Sequence, residues 1–411
     1  MNPQIDRDRL LSEIDALAAI SDAEAPAVTR VVFTPTDLRA RSSLVSLCEV
    51  AGLNVRHDAI GNTFARWSGS VPGPAVGTGS HIDAIPNAGK YDGVVGVLGG
   101  LEAIRALQRS GFRPHHPIEL LIFASEEPTR FGIGCLGSRL LSGTLPADHA
   151  RKLVDGSGES LETVRQAAGF SGQLEDVRLP ADYYKGFVEL HIEQGPLLER
   201  QRIPLGVVER IAAPATLRIL LEGAGGHAGG VLMPDRQDAL CAAAELILAI
   251  ENAARTRGAS DTVATVGMCD VFPGAVNSIP SRVQLSLDIR DTNLARRDDA
   301  MRDIERATQD IGARRQVSIR STLLHADKPA DCAAPVIEAL ERSCGEHQFP
   351  FLRMVSRAYH DSLFMSRIAP TGMLFIPCRN GYSHRPDEYA APEDIARGAL
   401  VLAETLARLS S

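Results

Sequence analysis

The chain has 411 residues, 44% of them hydrophobic and 23% charged, which excludes a disordered chain, a fibre and a single small binding module. Its 43 Lys and Arg are outnumbered by 51 Asp and Glu, for a net charge of -8; no general basic field exists to attract nucleic acid or an anionic membrane. Seven scattered cysteines with no C-x-x-C spacing argue against a disulfide framework and for a reducing cytoplasm.

In chain order, Leu10, Ile14, Leu17 and Ala18 share one face of an N-terminal helix, whose acidic residues set it apart from a signal peptide. A second helix is expected over 38–50, with Thr36 or Asp37 as N-cap and Gly52 as stop. Strands at 74–80 and 118–124, a helix at 94–110 closed by Gly111, and further strands at 187–192 and 205–211 have the rhythm of a parallel α/β sheet. The most apolar stretch, 239–250, is interrupted by Glu245 and falls short of the ~18–20 residues of a bilayer span.

The middle of the chain changes character. Strand 215–221, helix 235–255, strands 262–271 and 282–290, helix 293–311 and strand 316–321 form a β-α-β-β-α-β, ferredoxin-like order. Val283, Leu285, Leu287 and Ile289 alternate with polar neighbours, as in a sheet with one covered face. From about 329 the α/β pattern resumes, with a helix at 334–347 and a strand at 373–377. The expected fold is α/β: an outer domain over 1–212 and 329–411, which the residues below mark as metal-binding and catalytic, with an α+β domain over 213–328 inserted into it.

Four places in the outer domain put metal-ligand side chains at or just beyond a strand end: His81 and Asp83, Glu126 and Glu127, His191 and Glu193, and Ser383 and His384. That edge is where open α/β sheets bind ligands. Asp92, directly before a helix, can reach the same crevice. Each residue alone has an ordinary structural explanation: a paired histidine, an N-cap, a solvated strand end. Their joint occurrence at one edge points to a metal site. Histidines and carboxylates without a thiolate suit Zn²⁺, Mn²⁺ or Co²⁺. A carboxylate between histidines can bridge two ions, and of two adjacent glutamates one can ligate while the other takes a proton from water.

The segments SHIDAIPNAGKYDGVVGVLGGLEAI, SEEPTRFGIGCLGSRL, ELHIEQGPLLE, GAGGHAGGVLMPDRQDAL, NSIPSRVQLSLDIRD and SRAYHDSLF followed by MLFIPCRNGYSHRPDEY resemble, in order, the M20-type dinuclear metallohydrolases, in their amidase/hydantoinase/carbamoylase branch. The resemblance implies two divalent ions, Mn²⁺ first and Zn²⁺ or Co²⁺ otherwise. His81, Asp92 and His191 would hold one, Asp92, Glu127 and His384 the other. Glu126 would be the general base, and Asp83 would orient His81. The inserted domain would be lid and dimer interface. His227 would then reach the partner subunit's site to stabilise the oxyanion, with Asn277, Arg290 and Gln194 binding substrate.

Arg357 and Tyr359 replace glycines of common carbamoylase sequences, and Pro128 stands where relatives often have glycine. Tyr359 beside His360 would narrow the pocket and favour a short polar hydroxy acid. The implied activity is hydrolysis of a ureido C–N bond, with (S)-ureidoglycolate favoured and allantoate or an N-carbamoyl-L-amino acid as alternatives. A different class, a non-catalytic binding protein for a small anion, stays open.

Overall fold

The structure, a computed structural model, describes residues 3–256 and 261–411. It divides into two units: one takes Met1–Glu209, Asp331–Ser356 and His360–Ser411, the other Arg210–Ala330 and Arg357–Tyr359.

The first unit opens with helix α1 (Arg7–Ala18), which buries Leu10, Ile14 and Leu17 while Ala18 stays half-buried. Helix α2 (Pro35–Val50) starts earlier than its apolar pattern suggests. Its cap is Thr34, whose hydroxyl accepts the Asp37 N–H, and Thr36 and Asp37 sit in the first turn. Pro35 at the first helical position explains the difference, since its fixed φ suits that place and its missing N–H costs nothing there.

Strands β1 (Asn54–His57), β2 (Thr63–Trp67) and β3 (Ala75–His81), helix α3 (Val94–Arg109) and strands β4 (Ile118–Phe123), β5 (Tyr184–Ile192) and β6 (Leu205–Ile211) follow. The second unit contributes β7 (Ala213–Glu222), β8 (Gly226–His227), α4 (Ala239–Thr256), β9 (Val263–Phe272), β10 (Ser278–Ile279), β11 (Arg282–Asp291), α5 (Leu294–Arg315) and β12 (Ser318–Ala326). The chain closes with β13 (Ala330–Asp331), α6 (Ala334–Glu346), β14 (Phe351–Ser356), β15 (Thr371–Ile376) and α7 (Pro392–Leu409).

The large sheet runs β13–β6–β15–β5–β3–β4–β2–β1, with β14 beside β6. It is mixed rather than all parallel: β15, β5, β3 and β4 are mutually parallel, while β6 and β2 flank them antiparallel. The four parallel strands are almost continuously buried, which is why their sequences read as apolar runs. The short strands β1, at the sheet edge, and β2, between β1 and β4, were not revealed by the sequence pattern.

In the second unit the sheet order is β9–β11–β7–β12, every pair antiparallel. Strand β11 alternates buried and half-buried residues, with Val283, Leu285, Leu287 and Ile289 in the core beside α4 and α5 residues such as Leu246 and Ile304.

Candidate metal centre

Because β3, β4, β5 and β15 are parallel, their C-terminal ends meet on one edge. The β3–β5 register pairs Thr78 with Val188, and three residues further on come His81 and His191. Their rings stack with centroids 6.1 Å apart. Ser125, Glu126 and Glu127 follow the end of β4, and the loop after β15 brings Ser383 and His384. His384 has a left-handed backbone, φ 61°, unusual for a residue with a side chain.

Asp92 is the hub. Its Oδ1 lies 3.2 Å from His191 Nε2 and 3.9 Å from His81 Nε2. Its Oδ2 lies 3.2 Å from His384 Nε2, which is also 3.3 Å from Glu127 Oε1. The ligand atoms of His81, Asp92 and His191 form one compact cluster, and those of Asp92, Glu127 and His384 a second.

The protonation pattern decides whether a cation fits. His81 Nδ1 lies 2.9 Å from the Asp83 carbonyl and His191 Nδ1 2.9 Å from that of Ile192. A carbonyl only accepts, so each Nδ1 carries the proton and a neutral ring presents a lone pair at Nε2. The Gly93 N–H donates to His191 Nε2 at 3.2 Å, which needs that lone pair. Both Nε2 atoms thus face a carboxylate oxygen that is itself an acceptor. Asp92 Oδ1 is buried without a hydrogen-bond partner among the described residues. Acceptor against acceptor in a buried place is costly unless a cation stands between them. The donor set and this orphaned oxygen suit a divalent metal ion.

Electrostatics agree. Burial and the charges of Glu127, Asp361, Asp83 and Asp92 hold the Glu126 carboxyl well above the usual range. Burial also raises Glu127, against the bond from His384. For Asp92, burial is opposed by the facing His191 and His384 rings, which hold it well below its ordinary value. The bonds to Asp92 and Glu127 push His384 up to about 11.

The remaining expected residues fall into place as follows. The Asp83 carboxylate accepts the backbone N–H of Glu126 (3.2 Å) and of Glu127 (3.0 Å), while its Oδ1 stands 3.7 Å from His81 Nδ1. It therefore grips the glutamate pair more closely than the imidazole, whose nearer partner is the Asp83 carbonyl. Gln194, at φ 54°, donates its amide to Asp92 Oδ2 at 2.9 Å and Ser383 Oγ at 3.2 Å. The His360 ring packs 4.4 Å from that of His191.

In the second unit, pairing of β8 with β10 and the bond from Ala228 N–H to the Asn277 carbonyl (2.9 Å) bring His227 and Asn277 together. Both are exposed. Arg290 makes a two-point bond with Asp288 (2.7 and 3.2 Å) and stands 5.0 Å over the Tyr359 ring. Sequence reasoning missed the buried groups around the ligands: Glu189, bonded by Ser80 Oγ (2.7 Å) and Ser362 Oγ (2.6 Å), Cys135, whose thiol donates to Glu126 Oε1 at 3.3 Å, and Glu388. Each shares a segment with a candidate ligand, Glu189 with His191 in ELHIEQG, Cys135 with Glu127 in SEEPTRFGIGC and Glu388 with His384 in SHRPDEY.

The chain belongs to the peptidase family M20/M25/M40, whose model matches residues 77–408. It is a hydrolase of the branch that acts on C–N bonds other than peptide bonds. It is 50% identical to the ureidoglycolate hydrolase of Arabidopsis thaliana, covering 99% of this chain and 87% of that protein. The N-carbamoyl-L-amino acid amidohydrolase of Geobacillus stearothermophilus is 37% identical over 99% of both chains. Crystal structures of AtUAH with glyoxylate and with (S)-hydroxyglycine each superpose with a TM-score of 0.93 at 49% identity, covering 100% of this chain and 99% of that one. No helix among the described residues is long and apolar enough to cross a membrane.

Proposed function

We propose that this protein hydrolyses the ureido C–N bond of (S)-ureidoglycolate, as a cytoplasmic homodimer holding two divalent ions per chain, Mn²⁺ before Zn²⁺ or Co²⁺. The carrying observation is the pair of ligand clusters that share Asp92 beside the buried Glu126. His81 and His191 would hold one ion, Glu127 and His384 the other, with Asp92 bridging. The substrate follows from the likeness to ureidoglycolate hydrolases over nearly the whole chain.

Bound divalent ions polarise a carbonyl oxygen and acidify water. Glu126, kept in a proton-favouring environment by burial and neighbouring acids, takes the proton from the attacking water and passes it to the leaving nitrogen. His227 Nδ1 accepts the Gly229 N–H at 3.1 Å. Its neutral ring therefore carries the proton on Nε2 and can donate to the oxyanion, in the partner subunit's site if the inserted domain pairs the subunits. Arg290 and Asn277 anchor the substrate carboxylate, and Tyr359, His360 and Gln194 shape the rest of the pocket.

The carbamate formed breaks down to CO₂ and ammonia, and the hydroxyglycine left behind to glyoxylate and ammonia. The (S)-hydroxyglycine and glyoxylate held by AtUAH crystals match these successive products, which supports the reading. The test is a panel of ureidoglycolate, allantoate and N-carbamoyl-L-amino acids on the Mn²⁺-loaded protein, following ammonia and glyoxylate. Faster turnover of either competitor, or tight ureidoglycolate binding without turnover, would refute it.

A further inference from the structure

One carboxylate beside the two-ion centre has so far no role. Glu388 is 5% exposed, and its Oε1 accepts the backbone N–H groups of Tyr91 (2.8 Å) and Asp92 (3.1 Å). Its Oε2 lies 2.8 Å from Ser383 Oγ, and that same Oγ lies 2.9 Å from Asp92 Oδ2. Gly89 keeps the space open: a Cβ there would stand 2.5 Å from Glu388 Oε1, although no positive φ demands glycine at that position.

A hydroxyl has a single proton to give. Ser383 can therefore donate to Asp92 or to Glu388, never to both at once. Asp92 Oδ2 is the oxygen beside His384, and Gln194 already donates to it. An ion held by Asp92, Glu127 and His384 must draw on the lone pairs of that oxygen, and a Ser383 hydroxyl pointing at it competes.

We infer that Glu388 is a positioning residue for the ion on the His384 side. Its Oε2 offers Ser383 a second acceptor, so the hydroxyl turns away from Asp92 Oδ2 when the cation arrives, while its Oε1 pins the Asp92 backbone. The inference rests on the two-ion reading above and gives Glu388 no contact with substrate.

Glu388→Gln separates turning from pinning. Glutamine must keep its oxygen toward the Tyr91 and Asp92 N–H groups, which puts its NH₂ against Ser383 Oγ and sends the serine proton to Asp92. The experiment is calorimetric titration of chelator-treated, full-length protein with Mn²⁺ alone. Wild type should take two ions per chain; fewer than two removes the two-ion reading and this inference together.

Where wild type takes two, Glu388→Gln should weaken one site about 10- to 100-fold and leave the other unchanged. Adding Ser383→Ala should then restore most of the lost affinity, because the competing proton is gone. Wild-type affinity at both sites in Glu388→Gln overturns the inference. So does a double variant that binds no better than Glu388→Gln, since a mere loop anchor cannot be rescued by removing Ser383. If Glu388→Gln fails to fold, Ser383→Ala alone decides: equal or tighter binding at both sites supports the inference, and a weakened site overturns it.

Discussion

At the sheet edge of the first unit, His81, Asp83, Asp92, Glu126, Glu127 and His191 are all buried, whereas His227 and Asn277 of the second unit are exposed and Arg290 is half-buried against Asp288. The first group has already given up its hydration, and four acids packed together tolerate that only with positive charge among them. The second group keeps its exposure and its local bonds, so the proposed function has it contribute when substrate displaces them. Under the proposed function, one region would hold ions before the reaction and the other would respond during it.

The comparison can be broken first at its hub. Asp92→Ala should release both ions and abolish turnover, with metal analysis after gel filtration as the check; retention of two ions would mean that the clusters do not share this residue. Glu126→Gln should keep both ions and lose about 10²–10⁴-fold in kcat, so metal content and kcat together distinguish proton transfer from ligation. His227→Ala should cost about 10²–10³-fold in kcat, as loss of an oxyanion donor does, with metal content intact. A change confined to KM would move His227 from the reaction to simple binding. Arg290→Lys should have the smallest effect, a rise in KM of about tenfold with kcat preserved, because an ammonium keeps the charge but loses the planar two-point fork.

The candidate ligand set was legible in the sequence for a physical reason. Strands β3, β4, β5 and β15 are covered on both faces, so they read as apolar runs, and His81, Glu126, Glu127, His191 and His384 stand out where the runs stop. The alternation in β11 likewise exposed the one-sided sheet of the second unit. Boundaries were less visible: β1, β2 and β14 are short and partly exposed, so they lack a strong period. Helix α7 carries its own signal, with Pro392 at its start, Glu393 and Asp394 in its first turn and a buried Ile395, Ala399, Leu402 and Leu406 face.

The acids around the ligands were illegible for another reason. Glu189 and Glu388 act through partners 109 and 297 positions away, and a single chain of letters does not record such distances. Asp83 illustrates the cost. The resemblance implied a hold on the His81 ring, whose Nδ1 lies 3.7 Å from Asp83 Oδ1, and the carboxylate also accepts the amides of Glu126 and Glu127.

Gly93 meets two separate demands at once. Its backbone sits at φ 67°, and a Cβ there would stand 2.6 Å from His81 Nε2 and 2.5 Å from the His81 carbonyl. Relieving one demand with an asparagine, which tolerates left-handed torsions, leaves the other in force. A library randomised at position 93 and selected for turnover should therefore return a single answer, and the start of α3 cannot drift independently of the histidine beside it.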